Sequence, residues 1–199
     1  MWAYATSQFS DLAAVVYDFS PSRAGEHARN FLKDWKGKLV CDDFGGYKAS
    51  FELGVTEIGC IAHARLKFFE LHATSKSQLA EQALRYIQLL YEIESEVRDL
   101  EPDLWRRIRQ DKAVPVMDMV HAWMIAQRDL VPEGAAISRA LDYSLKRWVA
   151  LSRCRATSTT EPYPLTIIGP RIKSGHGLLD LRTGSLQGRY AAENGRRRS

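Results

Sequence analysis

The stretch Leu39–Leu71 reads "LVCDDFGGYKASFELGVTEIGCIAHARLKFFEL", and its punctuation decides the fold. "LVC" is an apolar run that ends in two acids, Asp42 and Asp43. The glycines that follow permit a tight turn into a short helical run. "VTEIGC" is a second strand candidate, and "AHARLKFFEL" a second helix. Strand, helix, strand and helix in this order point to an α/β layer.

Working outward, the same alternation begins upstream. "WAYA" (Trp2–Ala5) and "AAVVYDF" (Ala13–Phe19) are short β-prone runs, with "SPSR" as a turn after them. "AGEHARNFLKDW" (Ala24–Trp35) places Ala28, Phe31, Leu32 and Trp35 at helical spacing, and Gly37 stops it. Downstream the pattern changes. "SQLAEQALRYIQLLYEIESEVRDL" (Ser77–Leu100) carries Leu79, Ala83, Ile87, Leu90 and Val97 at helical spacing, with Ser75 or Ser77 as its cap. Pro102 opens a further helix, and Pro115 kinks or divides the region running to Leu130. "AAISRALDYSLKRWVAL" (Ala135–Leu151) reads as one more amphipathic helix. Three zones are therefore expected: an α/β layer over 1–75, an all-helical insertion over 76–151, and a patternless tail over 152–199. A Gly-, Ser-, Thr- and Arg-rich tail does not bury enough surface to offset its ordering entropy, so disorder is expected there.

Composition bounds the function classes. The 199 residues suit one domain or one domain with an insertion. Hydrophobic content of 45% supports a sizeable core, and the net charge of +4 permits a nucleic-acid partner without requiring one. Cys41, Cys60 and Cys154 are too few and too widely spaced for a disulfide framework, which points to a reducing, cytoplasmic setting. No signal-peptide pattern follows Met1, and no apolar run approaches membrane-spanning length, so no membrane partner is expected.

The sharpest site candidate is Asp42, delivered with Asp43 to the end of a strand, where α/β proteins place functional groups. A carboxylate there can hold a hard divalent cation; the bland alternative is an ordinary exposed strand-end Asp. Cys60 and His63 form a Cys-x-x-His pair, half of a zinc site. No second pair has suitable spacing, so a buried Cys followed by a first-turn His explains them as well. Arg65 and Lys67 beside aromatics can contact a phosphate backbone or form a solvated helix face. Trp105, Trp123 and Trp148 are better read as helix packing than as a base-stacking platform.

Several blocks in order, "WAYA", "VVYDFSPSRAGEHARNFL", "LVCDDFGGYKASF", "GCIAHARLKFFEL" and "ALDYSLKRWVAL", resemble the transposases of the insertion-sequence 66 family over Trp2 to about Leu151. The resemblance implies a ribonuclease-H-like fold, a mixed sheet with flanking helices, and a DDE-type site whose three carboxylates bind two Mg²⁺ (or Mn²⁺) ions for phosphodiester cleavage and strand transfer. It implies DNA, specifically transposon ends, as partner, with further transposase subunits or copies of the chain, in the bacterial cytoplasm at the nucleoid. Asp42 matches the family's second catalytic Asp, with Asp43 beside it as a further metal ligand. Cys60 and His63 match a Cys-x-x-His block of unassigned role. The first catalytic Asp is expected upstream of the "WAYA" strand, so the ribonuclease-H-like layer is expected to be incomplete.

The final Glu of such a site is expected in a block resembling "DNNWAENQIRP" beyond "RWVAL". The tail instead reads "EPYPLTIIGPRIKSGHG" (Glu161–Gly177). Read one base out of register, the codons of Thr166–His176 permit D-N-N-W-A-E-N-Q-I-R-P, with the Glu spanning the codons of Pro170 and Arg171. A frame change between about Ser152 and Arg155 follows, with "LTII" an apolar accident outside the fold rather than a core strand. The expected function is that of a transposase fragment, inactive alone; the alternative is a non-catalytic DNA-binding or subunit-interaction remnant.

Overall fold

The computed structural model describes residues 2–6, 14–97, 100–153 and 165–168. The N-terminal strands form where expected: β1 (Trp2–Ala5) and β2 (Val15–Asp18) pair antiparallel, Trp2 opposite Asp18 and Ala5 opposite Val15. Helix α1 (Gly25–Leu32) follows, then strand β3 (Lys38–Cys41). A 3₁₀ turn at Gly45–Tyr47 leads into the short helix α2 (Lys48–Glu52), which returns the chain to strand β4 (Thr56–Gly59). β3 and β4 are parallel, with Cys41 opposite Gly59, as a strand–helix–strand connection requires.

Alternation puts Trp2 and Tyr4 of β1, and Leu39 and Cys41 of β3, into one core with Ala28 and Leu32 of α1, Tyr47 and Val55. Ala28 and Leu32 stand four residues apart, which gives α1 one apolar stripe to lay on the sheet. The Phe31 ring, at the edge of that stripe, stacks on Tyr4 at 3.7 Å.

The helical zone starts with α3 (Ile61–Ser75) and α4 (Gln78–Val97). Ser77 caps α4: its Oγ accepts from the Ala80 N–H at 3.3 Å, while the Ser75 hydroxyl donates back to the Leu71 carbonyl. Pro102 does open a helix, α5 (Pro102–Ile108). A single π turn at Arg109–Ala113 then joins it to α6 (Val114–Leu130), with Pro115 in the first turn of α6. Proline has no N–H and its ring collides with the carbonyl four residues back. That carbonyl, on Asp111, lies inside the π turn, so the division expected at Pro115 takes this form.

The helix expected over Ala135–Leu151 is two helices, α7 (Ala136–Lys146) and α8 (Trp148–Arg153), broken at Arg147. Neither Pro nor Gly marks the break. Phe68 of α3, Ala80, Ala83 and Ile87 of α4, Val120 and Met124 of α6, and Ala140 and Leu141 of α7 form one buried cluster. α3 thus packs with the helices that follow it, across the zone boundary expected at residue 75. The tryptophans serve packing: Trp123 meets Tyr86 edge-on at 5.2 Å, Trp148 stacks on His121 at 4.4 Å, and the Arg109 guanidinium lies 4.2 Å over Trp105.

One expectation is overturned. Leu165–Ile168, the "LTII" read as lying outside the fold, forms strand β5. The sheet order is β2-β1-β5-β3-β4, so β5 is the central strand. It runs antiparallel to β1, with Ala3 opposite Ile168, and parallel to β3, with Leu39 opposite Leu165. β1 and β3 do not pair with each other; the backbone groups between them are satisfied through β5. Ser152 and Arg153, expected in the patternless tail, close α8 instead; residues 154–164 and 169–199, with Cys154, Pro170 and Arg171, lie outside the described residues.

Candidate functional site at the end of strand β3

β3 ends at Cys41, and the chain turns at once. Asp42 holds that turn: its Oδ1 accepts from the Phe44 N–H at 3.1 Å, an Asx turn that replaces a lost ladder bond. Of the two glycines after Phe44, Gly46 has a packing reason. A Cβ on Gly46 would sit 2.7 Å from the Gly25 Cα, so the turn and the start of α1 touch backbone to backbone. The next strand end is tied in as well, since the Cys60 N–H donates to the Cys41 carbonyl at 3.1 Å and Cys60 caps α3.

Arg147, at the break between α7 and α8, reaches this turn from 104 residues away in sequence. One nitrogen of its guanidinium contacts Asp43 Oδ1 at 2.5 Å. The other donates to Glu57 Oε1 at 2.8 Å and to the Asp42 carbonyl at 3.2 Å. The side chain is only 10% exposed. Burial alone would lower its pKa, but Glu57, Tyr143 and Asp43 outweigh it and hold the pKa above the usual value. Arg153 adds a bond from α8 to the Glu57 carbonyl at 3.2 Å.

Around this centre stand His63, Lys67 and Tyr143. The Lys67 ammonium lies 4.3 Å over the Tyr143 ring. Desolvation lowers the His63 pKa, with Lys67 and Arg147 acting the same way and Asp42 opposing them. His63 as a whole residue is nonetheless exposed to solvent. Burial pushes the Cys41 thiol up to about 12, with the Glu57 charge adding to it, so at neutral pH it is a protonated thiol. The Tyr143 hydroxyl is likewise raised to about 12, by burial first.

The predicted residues therefore separate into two places. Asp42, Asp43, Cys60, His63 and Lys67 gather at the end of β3. Arg65 lies elsewhere on α3, its guanidinium 5.8 Å over Phe69; two residues from Lys67, it points to another side of the helix. Arg147, Glu57 and Tyr143 were not singled out by sequence reasoning. Their signal is long-range pairing of charge, which no local spacing displays. Among the described residues, no three His, Cys, Asp or Glu side chains are grouped so as to hold a metal ion. No described helix is long and apolar enough to cross a membrane.

Comparison with known proteins adds the family. The profile described as "Transposase IS66 family" matches residues 1–162. Three proteins of Sinorhizobium fredii are similar: "Uncharacterized protein y4hP" at 31% identity, "Uncharacterized protein y4jD" at 28% and "Uncharacterized protein y4qI" at 27%. The alignments cover 68%, 74% and 77% of this chain but 28%, 30% and 31% of those proteins. The chain thus spans under a third of the length of these relatives. No solved structure matches. With the family profile covering the sheet strands β1 to β4, the strand-end acids and the whole helical zone, the chain belongs to the IS66 family of transposases.

Proposed function

We propose that the chain acts in DNA transposition, with Asp42 as a strand-end carboxylate of a DDE-type, ribonuclease-H-like catalytic layer that works with Mg²⁺ or Mn²⁺. The observation that carries this reading is the position of Asp42: it follows an internal parallel strand, inside the stretch that matches the transposase family. The mixed sheet, an antiparallel hairpin on one side and a parallel pair on the other, supports it.

A Mg²⁺ site of this kind needs several oxygen ligands converging at one point. Asp42 supplies one carboxylate, and one oxygen of it already accepts the Phe44 N–H. Asp43 and Glu57 are both engaged by Arg147. The described residues do not make a two-metal site, and we infer that this chain by itself neither cleaves nor joins DNA. Its DNA contact is electrostatic, with Lys67 near the acids and Arg65 on another side of α3 as backbone contacts. Other transposase subunits, or copies of this chain, complete the active assembly.

The test uses labelled transposon-end duplex with the full chain in Mg²⁺ or Mn²⁺. The expected result is binding that weakens steeply with salt and no cleaved or joined product. Robust strand transfer would overturn the inactivity. Absence of binding at low salt would overturn the DNA reading, and unchanged affinity in an Arg65→Ala/Lys67→Ala double variant would remove those two residues from it.

A further inference from the structure

We infer that Arg147 is a positioning residue that holds the acidic turn after β3 in place and does there the charge-neutralising work otherwise left to a bound cation. The inference rests on the geometry around Arg147 and not on the transposase reading. Three groups, two from the turn after β3 and one from within β4, converge on one guanidinium: Asp43 Oδ1 at 2.5 Å, Glu57 Oε1 at 2.8 Å and the Asp42 carbonyl at 3.2 Å.

The chain is shaped around this contact. The helix expected to run unbroken through Ala135–Leu151 breaks at Arg147 itself, where φ is −101° and ψ is 10°. No proline or glycine forces a break there. Immediately after it, α8 lies so close to β4 that a Cβ on Gly59 would be 2.9 Å from the Leu151 nitrogen. Arg147 thus leads directly into this contact, and Arg153 fastens the far end of α8 to the Glu57 carbonyl. A planar fork can bridge two carboxylates and a carbonyl at once, where a lysine ammonium gives a single point charge.

The consequence is a division of labour between adjacent acids. Asp43 and Glu57 neutralise Arg147, and Asp42 is left as the carboxylate whose side chain faces the turn. Without Arg147, the carboxylates of Asp42, Asp43 and Glu57 would lose the guanidinium that pairs with two of them, leaving Lys67 and Arg153 as the cations already placed at this end of the molecule. A divalent cation would then be favoured where it is now opposed.

The experiment measures Mn²⁺ binding by the loss of the free-ion electron paramagnetic resonance signal, together with thermal melts, on the full chain and its variants. Arg147→Met is expected to bind Mn²⁺ at least about tenfold more tightly than the unaltered chain, because it removes a positive charge and releases two carboxylates. It is also expected to lower Tm by roughly 5–10 °C, as the loss of one partner from a mostly buried pair does in a chain of this size. Adding Asp43→Asn to Arg147→Met should give back part of the lost Tm and abolish the gained Mn²⁺ binding. A residue that merely packs α8 on the sheet would lower Tm without raising Mn²⁺ affinity. Equal or weaker Mn²⁺ binding by Arg147→Met, including no detectable binding by either protein, therefore overturns the inference, as does strict additivity of the two substitutions in Tm. Should Arg147→Met fail to fold, Arg147→Gln carries the same test: it removes the charge but keeps a polar side chain, so Mn²⁺ binding tightened over that of the unaltered chain would support the inference and unchanged or weaker binding would overturn it.

Discussion

Cys41 sits immediately before Asp42, 1% exposed, with burial and the Glu57 charge raising its thiol from 9.0 to about 12. The sign of the linkage is fixed by that direction. In the unfolded chain the thiol ionises near its ordinary pKa, while in the folded chain it stays protonated to about 12. Its contribution to stability is fully present below pH 9 and is lost as pH rises from there to about 12. Tyr4 and Tyr143, each raised to about 12 by burial first, act in the same direction. Denaturant unfolding between pH 8 and 12 should show a falling alkaline limb, shallower in Cys41→Ala; an unchanged slope in that variant would assign the whole limb to the tyrosines. At pH 8 a thiol reagent should leave Cys41 unmodified until the chain unfolds. At this scale the sequence was informative about Asp42, because a strand-end acid before a glycine turn has a local signature. It was silent about Arg147, because a counter-ion 104 residues away has none.

At the scale of elements, local patterning identified strands β1 to β4 and helices α1 and α4 to within a few residues, since each has one apolar face at its own period. It missed the break between α7 and α8, where no helix-breaking residue stands and Arg147 instead makes a tertiary contact with Glu57. The glycines carry the sharpest consequences here. Gly46 and Gly25 are in backbone contact, and an added methyl on Gly46 would also meet the Phe44 ring at 2.2 Å. Phe44 can swing away, but the Gly25 backbone cannot without moving α1. Gly46→Ala should therefore cost about 1–3 kcal/mol, the usual range for overpacking, read as a lowered denaturation midpoint. Gly59→Ala, which drives a methyl into the backbone of α8, should cost a similar amount. Gly45 has nothing within 4 Å of an added Cβ, so Gly45→Ala is the control, expected to lie within about 0.5 kcal/mol of the unaltered chain.

For the molecule as a whole, the sheet depends on a strand that local reading set aside. A short apolar run with no alternation carries no local sign of its partners, so "LTII" in a Gly- and Arg-rich tail reads as a stray patch. Its partners, β1 and β3, lie more than 120 residues upstream, and the family match ends at residue 162, before the strand begins. The helical zone lies between β4 and β5 in sequence, and α8 packs on β4. The chain thus emerges from the helices beside the sheet and fills its centre last. Without β5, the β1–β2 hairpin and the β3–β4 pair are two separate ribbons, each with an open edge, and a two-stranded ribbon alone is marginal in water. Thr166 pairs with Ala5 on one side and Val40 on the other, so Thr166→Pro removes a backbone donor between two strands whichever way it points. The substitution should cost at least about 1–3 kcal/mol for the unmade bond. It should also remove amide hydrogen-exchange protection from Ala3–Ala5 and Leu39–Val40 together, while α4 and α6 in the helical cluster keep theirs. Protection lost on β1 and β3 alike identifies β5 as the element that joins the two ribbons. Protection retained on both would mean that the ribbons hold without it, and that the tail adds nothing to the sheet.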